Sequence, residues 1–232
     1  MCDDEADAAA KYKGLSQRPK TLDEYIADDP LGEFFVWWQG VKEDDLATLE
    51  KCIDDAWNER PVQRFLEENP LALVQHMKGG HGRYVIPQKR LGAEHVTDFM
   101  IGQKHSGGFE WEAVELESPR ARMFTSKGDP TSQLTHAIRQ IQDWRAWLRR
   151  NQDYAARPRS ESGLGLTDIG PELPGFILIG RRQEIPDDTN DRRRQMVNDL
   201  NIRIHSYDFL LAWMRGKTGR GCTGDDSSPR AS

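Results

Sequence analysis

The sequence is poor in cysteine and has no long hydrophobic run. Its three cysteines stand at positions 2, 52 and 222, with no CxxC or paired Cys/His spacing. This pattern excludes a disulfide framework and a structural zinc site, and it favours a reducing compartment. No segment approaches the roughly 18 apolar residues of a membrane-spanning helix, and the acidic first residues lack the features of a secretory signal. We therefore expect a cytoplasmic protein without a membrane partner.

Positive charge is scarce in the first quarter of the chain and gathers later. Residues 1–60 contain 16 acidic and 7 basic residues, residues 61–232 contain 22 acidic and 25 basic residues, and the net charge is -6. Arginines supply most of the later positive charge, at positions 139, 145, 149, 150, 181, 182 and 192–194. This distribution is compatible with a polyanionic partner, and equally with solvated helix faces and loops.

Hydrophobic periodicity predicts an α/β (α+β) fold, in which helices flank a central mixed sheet. We expect a helical N-terminal region over residues 21–60, and then a helix from Pro61 that ends at Asn69-Pro70. Strands are predicted at 84–86, 96–101, 109–117, 176–179 and 202–205, and helices at 131–150, 190–200 and 207–214. A long loop is expected over 151–174, and disorder over 1–20 and 216–232.

Acidic side chains gather on the hairpin predicted from the second and third strands. Period-two alternation places Glu115 and Glu117 on one face, and a turn centred near Ser106 would put Asp98 opposite Ala113 on that face. Carboxylates at this separation can converge on one Mg²⁺ or Mn²⁺ ion, because hard divalent cations prefer oxygen ligands. The alternative is a solvated carboxylate face, although unpaired carboxylates are costly between apolar neighbours near a sheet centre.

Several short motifs follow one another between residues 61 and 214. They are Phe65-Leu66-Glu67-Glu68-Asn69-Pro70, Leu91-Gly92-x-Glu94-x-x-x-Asp98-Phe99, Val114-Glu115-Leu116-x-x-Pro119, Ala137-Ile138-x-Gln140-Ile141, Ile179-Gly180-Arg181 and Tyr207-Asp208-x-Leu210. In this order they resemble the motifs of Shedu-type anti-phage defence nucleases. The Asp-Phe and Val-Glu-Leu segments on paired strands are similar to the metal-binding core of PD-(D/E)xK phosphodiesterases.

The resemblance implies a restriction-endonuclease-like nuclease domain over residues 61–215. Such a domain would hydrolyse DNA phosphodiester bonds with Mg²⁺ or Mn²⁺, in defence against phage or other foreign DNA. Carried over by position, Asp98 and Glu115 would be metal ligands, and Glu68 would be an accessory carboxylate.

The resemblance also implies roles for residues around the metal. Glu117 would orient or deprotonate water, and Gln140 would position it, sharing a helix face with Trp144. The backbone phosphates of DNA would contact Arg139, Arg145, Arg181 and Arg182. Because family members assemble, we expect a homo-oligomer, with the aromatic segment 34–38 as the candidate surface.

The sequence departs from the superfamily pattern at one catalytic position. Glu117 stands where a lysine usually lies, two residues after the second carboxylate. The glutamate could be a general base or a third metal ligand, and Lys89, Arg120 or Lys127 could supply the missing positive charge. The replacement also motivates an alternative, a catalytically silent nuclease-fold domain that binds nucleic acid or a partner protein. A third hypothesis is an unrelated interaction domain, in which the carboxylates would lie far apart.

Overall fold

The computed structural model describes residues 21–38, 40–78, 80–185 and 189–216. The disorder predicted for residues 1–20 and 217–232 lies outside these residues. The chain divides into two compact units, one ending at Glu33 and the other beginning at Phe34. Among the described helices, none is long and apolar enough to cross a bilayer.

The first unit contains helix α1, Leu22–Ala27. The Thr21 hydroxyl accepts a hydrogen bond from the Glu24 N–H at 3.3 Å, and the Glu24 carboxylate accepts one from the Thr21 N–H at 2.9 Å. This reciprocal capping box satisfies two N–H groups that lack a partner within the helix, which explains why the helix begins there. A short 3-10 helix, Gly32–Phe34, follows.

The second unit combines helices with a sheet. Its α-helices are α2 (Glu43–Asp55), α3 (Arg60–Glu68), α4 (Leu71–Val74), α5 (Ser132–Ala156), α6 (Asn190–Leu200) and α7 (Asp208–Arg215). Its strands are β1 (Gly82–Pro87), β2 (Arg90–Leu91), β3 (His95–Val96), β4 (Phe99–His105), β5 (Gly108–Leu116), β6 (Gly175–Leu178) and β7 (Ile202–His205). Two further 3-10 helices are Arg159–Glu161 and Arg182–Glu184.

Five strands form one mixed sheet in the order β1-β4-β5-β6-β7. Strands β1, β4 and β5 are antiparallel neighbours, whereas β6 and β7 continue the sheet parallel to β5. Because parallel neighbours need a crossover connection, α5 lies between β5 and β6 in sequence, and α6 lies between β6 and β7. Strands β2 and β3 form a separate two-stranded ribbon. The mixed sheet flanked by helices confirms the predicted fold class.

Helices cover both faces of the sheet. On one face, strand residues such as Phe99, Val114 and Phe176 join a buried cluster with side chains of α2, α3, α4 and α7, including Leu49, Leu66, Leu73 and Leu210. On the other face α5 packs closely, since a Cβ added to Gly175 would lie 2.6 Å from Ile141 Cδ1. Each fully buried Leu or Phe side chain contributes about 1.5–3 kcal/mol by leaving water. Burial on both sides therefore fixes the sheet that carries the acidic hairpin.

Helix α5 is longer than the sequence predicts. It extends to Ala156, with non-helical backbone angles at Asn151 (φ -131, ψ 22), so the prediction of a loop over 151–156 is wrong. The polar sequence of this turn conceals its helical character, which tertiary packing stabilises. Ala155 is fully buried, and its carbonyl accepts a hydrogen bond from the Leu166 N–H at 3.0 Å.

The aromatic segment 34–38 is extended from Phe35 onward, although the sequence analysis placed it in a helical region. Phe35 forms an isolated antiparallel bridge with Tyr84 of β1, and the Val36 N–H donates to the Arg83 carbonyl at 2.8 Å. The Phe35 ring makes edge contacts with Trp37, Trp38 and Tyr84. Aromatic packing beside β1 therefore explains this cluster of large rings.

Candidate active site

The hairpin of β4 and β5 brings Asp98 level with Glu115. Its two-residue turn at positions 106 and 107 sets a register in which Met100 pairs with Ala113. Asp98 lies one residue before β4 and therefore reaches the level of Glu115. The backbone N–H of Leu116 donates to Asp98 Oδ2 at 2.8 Å, which fixes this carboxylate at the end of β5.

The predicted pairing of Asp98 with Ala113 is wrong by two residues, because the turn is centred one position later than the sequence suggested. Since the shift is even, the side chain stays on the predicted face. Strand β4 also begins at Phe99, not at position 96. The Thr97 N–H donates to the Lys89 carbonyl at 3.0 Å, so the residue before Asp98 bonds to the segment between β1 and β2 and not to the main sheet.

Three carboxyl groups gather at this end of the hairpin, and each has a raised pKa. Burial raises the pKa of Asp98 to about 6, against the lowering effect of the Leu116 hydrogen bond. Burial, and then the charges of Asp98 and Glu117, raise the pKa of Glu115 to about 9. Burial and the charges of Glu59 and Asp98 raise the pKa of Glu117 to about 7. The charge of Asp98 thus acts on both Glu115 and Glu117, so the three groups lie within electrostatic reach of one another.

Glu59 is a fourth acidic residue of this site, and the sequence analysis missed it. It is the N-cap residue of α3, and its charge raises the pKa values of Asp98, Glu115 and Glu117. Glu67 of the same helix also raises the pKa of Asp98, and both Glu67 and the predicted accessory residue Glu68 are exposed. Only its place at the helix start distinguished Glu59 in the sequence, and that feature carries no information about tertiary contacts.

Gln140 of α5 lies against Glu115 and donates a hydrogen bond that lowers the carboxyl pKa against the larger effect of burial. Within the described part of the chain, Glu115 Oε2 and Gln140 Oε1 are buried without a hydrogen-bond partner. A buried acceptor without a donor costs about 1–3 kcal/mol. Trp144, one turn further along α5, is 99% buried and belongs to the core.

These residues fit a hard divalent cation, although no group of three or more His, Cys, Asp or Glu side chains among the described residues is already arranged as a metal site. Among the described residues, Glu115 Oε2 and Gln140 Oε1 are buried without a hydrogen-bond partner, and the charges of Asp98 and Glu117 raise the pKa of Glu115. Oxygen donors without nearby thiolates suit Mg²⁺ or Mn²⁺, which retain several water ligands. Asp98 and Glu115 would hold such an ion.

Sequence comparison matches residues 56–211 to the family described as Shedu protein SduA, C-terminal. The matched region covers more than half of the chain and includes the hairpin, α5 and the end of the sheet. The chain belongs to the Shedu family. The match confirms the resemblance that the ordered motifs indicated. No curated protein matches this Shedu chain.

Two solved structures are similar to the Shedu chain. One is the restriction endonuclease FokI bound to DNA, with 11% identity and a TM-score of 0.42, covering 86% of the Shedu chain and 31% of that chain. The other is SfsA of Pyrococcus furiosus in complex with Ca²⁺, with 13% identity and a TM-score of 0.30, covering 63% and 54% respectively. The Shedu chain therefore spans less than two thirds of the length of either protein.

The last two of the ordered motifs, at residues 179–181 and 207–210, lie around the end of β5 and stabilise it. The buried Tyr207 hydroxyl donates to the Glu117 carbonyl at 2.8 Å. Asp208 accepts hydrogen bonds from the Arg181 guanidinium and, at 2.7 Å, from the Arg182 N–H. Between these segments Gly180 has a φ of +66, and an added Cβ would lie 2.2 Å from the Ala121 carbonyl oxygen. Glycine is therefore required at position 180, because its backbone angle is unfavourable for other residues and a side chain would collide with the Ala121 carbonyl.

Two of the four predicted DNA-contacting arginines are bound within the protein. The Arg145 guanidinium donates to three backbone carbonyls, those of Leu173 at 2.8 Å, Leu200 at 2.7 Å and Asn201 at 2.9 Å. Arg181 forms ion pairs with Asp54 and Asp208. Arg139 and Arg182 have exposed side chains.

The candidates for the missing lysine charge lie in different surroundings. Lys89 Nζ donates to the Leu164 carbonyl at 2.8 Å, and Arg120 Nε donates to the Ala56 carbonyl at 3.2 Å. Lys127 is exposed on the loop before α5. The neighbouring charges that raise the pKa of Glu117 are those of the carboxylates of Glu59 and Asp98.

Proposed function

We propose that this Shedu chain is a divalent-metal-dependent nuclease that hydrolyses DNA phosphodiester bonds in defence against phage or other foreign DNA. One observation carries the proposal. Asp98, Glu115 and Glu117 lie at the same end of the hairpin, where burial and the charges of neighbouring carboxylates raise the pKa of each. Such a site favours a cation, and perturbed carboxylates of this kind cluster at catalytic centres.

Asp98 and Glu115 are the proposed ligands of Mg²⁺ or Mn²⁺. Glu59 takes the part of accessory carboxylate from α3 that the sequence analysis gave to Glu68, since the charge of Glu59 acts on all three groups. When bound, the cation would polarise a phosphoryl oxygen and lower the pKa of the attacking water. Ion binding also requires both ligand carboxyls to be ionised, so it displaces protons from them.

Glu117 is the proposed general base at the position usually held by lysine. Its pKa of about 7 lies near the operating pH, where proton transfer to a carboxylate is most effective. The Tyr207 hydrogen bond to its backbone carbonyl positions the residue. Gln140, which already bonds to Glu115, would orient the water through its unpartnered amide oxygen.

DNA is the proposed substrate, and exposed arginines are its proposed backbone contacts. Arg139 on α5 and Arg182 after β6 have side chains that can reach a phosphate, whereas Arg145 and Arg181 hold the surrounding elements together. A homo-oligomer through the segment 34–38 belongs to the same proposal, because Trp37 remains 43% exposed beside the packed rings. Light scattering of the full chain and of the Trp37→Ser variant tests that association. The proposal also includes a cytoplasmic location.

The experiment is an assay of linear and supercoiled DNA with Mg²⁺ or Mn²⁺. Wild type should cleave, and Asp98→Ala and Glu115→Ala should each lower the rate by about 100-fold or more, because both remove a ligand. Glu110→Ala is a matched control, since Glu110 is an exposed carboxylate at the other end of β5. Cleavage at the wild-type rate in both Asp98→Ala and Glu115→Ala would falsify the assignment of these residues as metal ligands.

A second candidate is a catalytically silent domain that binds nucleic acid or a partner protein. The glutamate at position 117 favours it, because a further carboxylate repels phosphate unless cations neutralise the site. Calorimetric titration with Mn²⁺ separates the two candidates. Absence of Mn²⁺ binding together with absence of cleavage supports the silent domain, and binding with cleavage supports the nuclease.

A further inference from the structure

A polar cavity lies where the parallel strands β6 and β7 end. It has a volume of about 350 Å³, and its walls come from the 3-10 helix after β6, the first turn of α6 and the end of β7. Because β5, β6 and β7 are parallel, their carboxyl ends lie at the same end of the sheet. Crevices at this end are the usual ligand sites of parallel sheets. The cavity therefore shares the end of the sheet that carries Glu117.

The spacing of the strands brings the cavity within reach of a DNA strand that contacts the carboxylates. Ser206 lines the cavity, and the next residue, Tyr207, donates to the Glu117 carbonyl at 2.8 Å. Strand β6 separates β5 from β7, so β7 is two strand spacings, or about 10 Å, from β5. One strand of B-DNA rises about 3.4 Å per nucleotide. A strand whose scissile phosphate lies at the carboxylates can therefore place another phosphate at the cavity within about three nucleotides.

Of three consecutive arginines on α6, the middle one lines the cavity. Arg192 forms an ion pair with Asp129, and Arg194 forms one with Asp191. Both of these arginines are exposed, whereas Arg193 is half-buried. Arg193 is thus distinguished from its neighbours as a guanidinium that is partly withdrawn from bulk solvent into a cavity.

Positive charge accumulates around this cavity. Burial, and then the charges of Arg182 and Arg194, lower the pKa of Arg193. Burial, and then the charges of Arg203 and Arg193, lower the pKa of His205 to about 4. His205 is therefore neutral near pH 7, and its ring can donate an N–H without adding to the repulsion. An anion bound between Arg182 and Arg193 would reduce the repulsion between them.

The groups around the cavity suit a phosphate. A guanidinium is a planar fork of N–H donors that matches two oxygens of a phosphate group. The N-terminal turn of α6, whose Asn190 lines the cavity, adds the partial positive charge of a helix N-terminus. The chemistry therefore favours an oxyanion over a neutral or cationic ligand.

We propose that this cavity binds a phosphate group of the substrate DNA near the scissile one, with Arg193 on its wall and Arg182 at its rim. The inference rests on the proposed nuclease function and adds Arg193 and His205 to its DNA contacts. A phosphate contact carries no sequence information, but holding a second phosphate fixes which phosphodiester bond meets the carboxylates. A free nucleotide offers the same phosphate chemistry, so the test includes both sources.

The first measurement is thermal unfolding of the full chain in a chelator, with inorganic phosphate or AMP compared with chloride at equal ionic strength. Phosphate should raise the Tm of wild type by about 2–4 °C more than that of Arg193→Met, since a ligand of the folded state stabilises it beyond the general salt effect. Arg193→Lys should retain part of the increase. Arg194→Met is the matched control, because it removes an equal charge from an exposed position of the same helix and should respond as wild type does.

The second measurement is fluorescence anisotropy with a blunt DNA duplex in an Asp98→Asn background, which prevents cleavage. Arg193→Met should weaken binding by about tenfold and reduce the slope of log K against log salt by about 1, because one phosphate contact is lost. Arg194→Met should leave the affinity within about twofold of the background protein. The unfolding curves of the first measurement show whether each variant is folded.

The inference is overturned if phosphate stabilises Arg193→Met as much as wild type, or if Arg194→Met loses as much DNA affinity as Arg193→Met. It is also overturned if Arg193→Met binds DNA as tightly as the background protein. In that last case, stabilisation by AMP that still depends on Arg193 would identify a free nucleotide as the source of the phosphate.

A cleavage assay with intact Asp98 separates this inference from the nuclease proposal. If phosphate stabilisation and DNA affinity both depend on Arg193 but wild type cleaves no DNA, the nuclease alone is refuted. If wild type cleaves DNA and both quantities are unchanged in Arg193→Met, the phosphate site alone is refuted.

Discussion

At the scale of single residues, the candidate site consists of carboxyl groups whose pKa values are raised by burial and by the charges of neighbouring carboxylates. Glu115 is the most affected, because it is buried, faces the charges of Asp98 and Glu117, and keeps one oxygen without a partner. Its raised pKa means that the metal-free protein carries this carboxyl protonated at neutral pH. Ionising the Glu115 carboxyl is therefore electrostatically unfavourable, and a bound metal ion would remove this cost.

This cost should appear as a pH-dependent stability of the metal-free protein. The folded-state pKa of Glu115, about 9, lies above the ordinary value of 4.5, so its folded state binds a proton more tightly than the unfolded state. The contribution of this group is therefore favourable up to about pH 4.5 and is lost progressively as the pH rises toward 9. Glu115→Gln, which mimics the protonated form, should raise Tm at pH 8.5 by about 4–8 °C, or about 2 kcal/mol, and change it little at pH 5.

Thermal unfolding in a chelator at the two pH values is the measurement. Glu110→Gln serves as the control, since that carboxylate is exposed on the same strand and should show no such pH-dependent gain. A Glu115→Gln protein that is destabilised equally at both pH values would contradict the assigned repulsion.

At the scale of secondary-structure elements, Arg145 connects α5 to the parallel half of the sheet. Its guanidinium donates to carbonyls just before β6 and just before β7, at the ends opposite the carboxylates. One side chain thus fixes the helix that carries Gln140 relative to two strands. Burial lowers its pKa, as expected for a guanidinium withdrawn from water.

Arg145→Ala should therefore act on stability and not on DNA contacts. Loss of three charge-assisted hydrogen bonds should lower the free energy of unfolding by about 2 kcal/mol or more. Arg149→Ala, at an exposed position of the same helix, should change it by less than about 0.5 kcal/mol. Urea unfolding checks both values. If Arg145→Ala is as stable as wild type but binds DNA more weakly, the structural role is wrong and the predicted contact of Arg145 with DNA phosphates is supported.

The elements that the sequence predicted best are those with strong periodicity. The apolar stripe of α5 and the hairpin around a short polar turn both follow from residue spacing, and the shared face of Asp98 and Glu115 needs only an even register. The exact residue pairing depends on the position of the two-residue turn. Residue spacing locates the centre of this turn only to within one position. The last turn of α5 was missed because its stability comes from burial of Ala155, a tertiary contact.

Long-range partners also set the limit of prediction within the site. The family motifs selected Asp98, Glu115 and Gln140, whose convergence the structure describes. No local pattern separates Arg145, bonded to three carbonyls, from the exposed Arg139 on the same helix. Contacts that join distant segments of the chain decide such roles.

At the scale of the whole molecule, negative charge in residues 1–60 contrasts with a slightly positive remainder. The proposed phosphate contacts Arg139 and Arg182 are exposed, whereas Arg181 is engaged in ion pairs. The proposed DNA binding should therefore depend on a small number of phosphate contacts. A small contact number implies a moderate dependence of affinity on salt.

Arg139→Ala and Arg182→Ala should each reduce the slope of log K against log salt by about 1, because each removes one phosphate contact. Arg215→Ala is the control, since Arg215 pairs with Glu50 of α2 and is not a proposed DNA contact, and its slope should equal that of wild type. Anisotropy titrations over a range of salt concentrations give the slopes. Slopes unchanged in both arginine variants would exclude these residues from the DNA interface.

The most direct test of the carboxylate site is calorimetric titration of the metal-free chain with Mn²⁺ at neutral pH, in buffers that differ in ionisation enthalpy. Because the pKa of Glu115 is raised to about 9, binding should release about one proton or more, and the measured heat should vary with the buffer. Glu115→Gln should abolish this proton release and weaken binding, whereas Glu110→Gln should resemble wild type. Absence of Mn²⁺ binding, or binding with the same heat in every buffer, would contradict a metal site formed by Asp98 and Glu115.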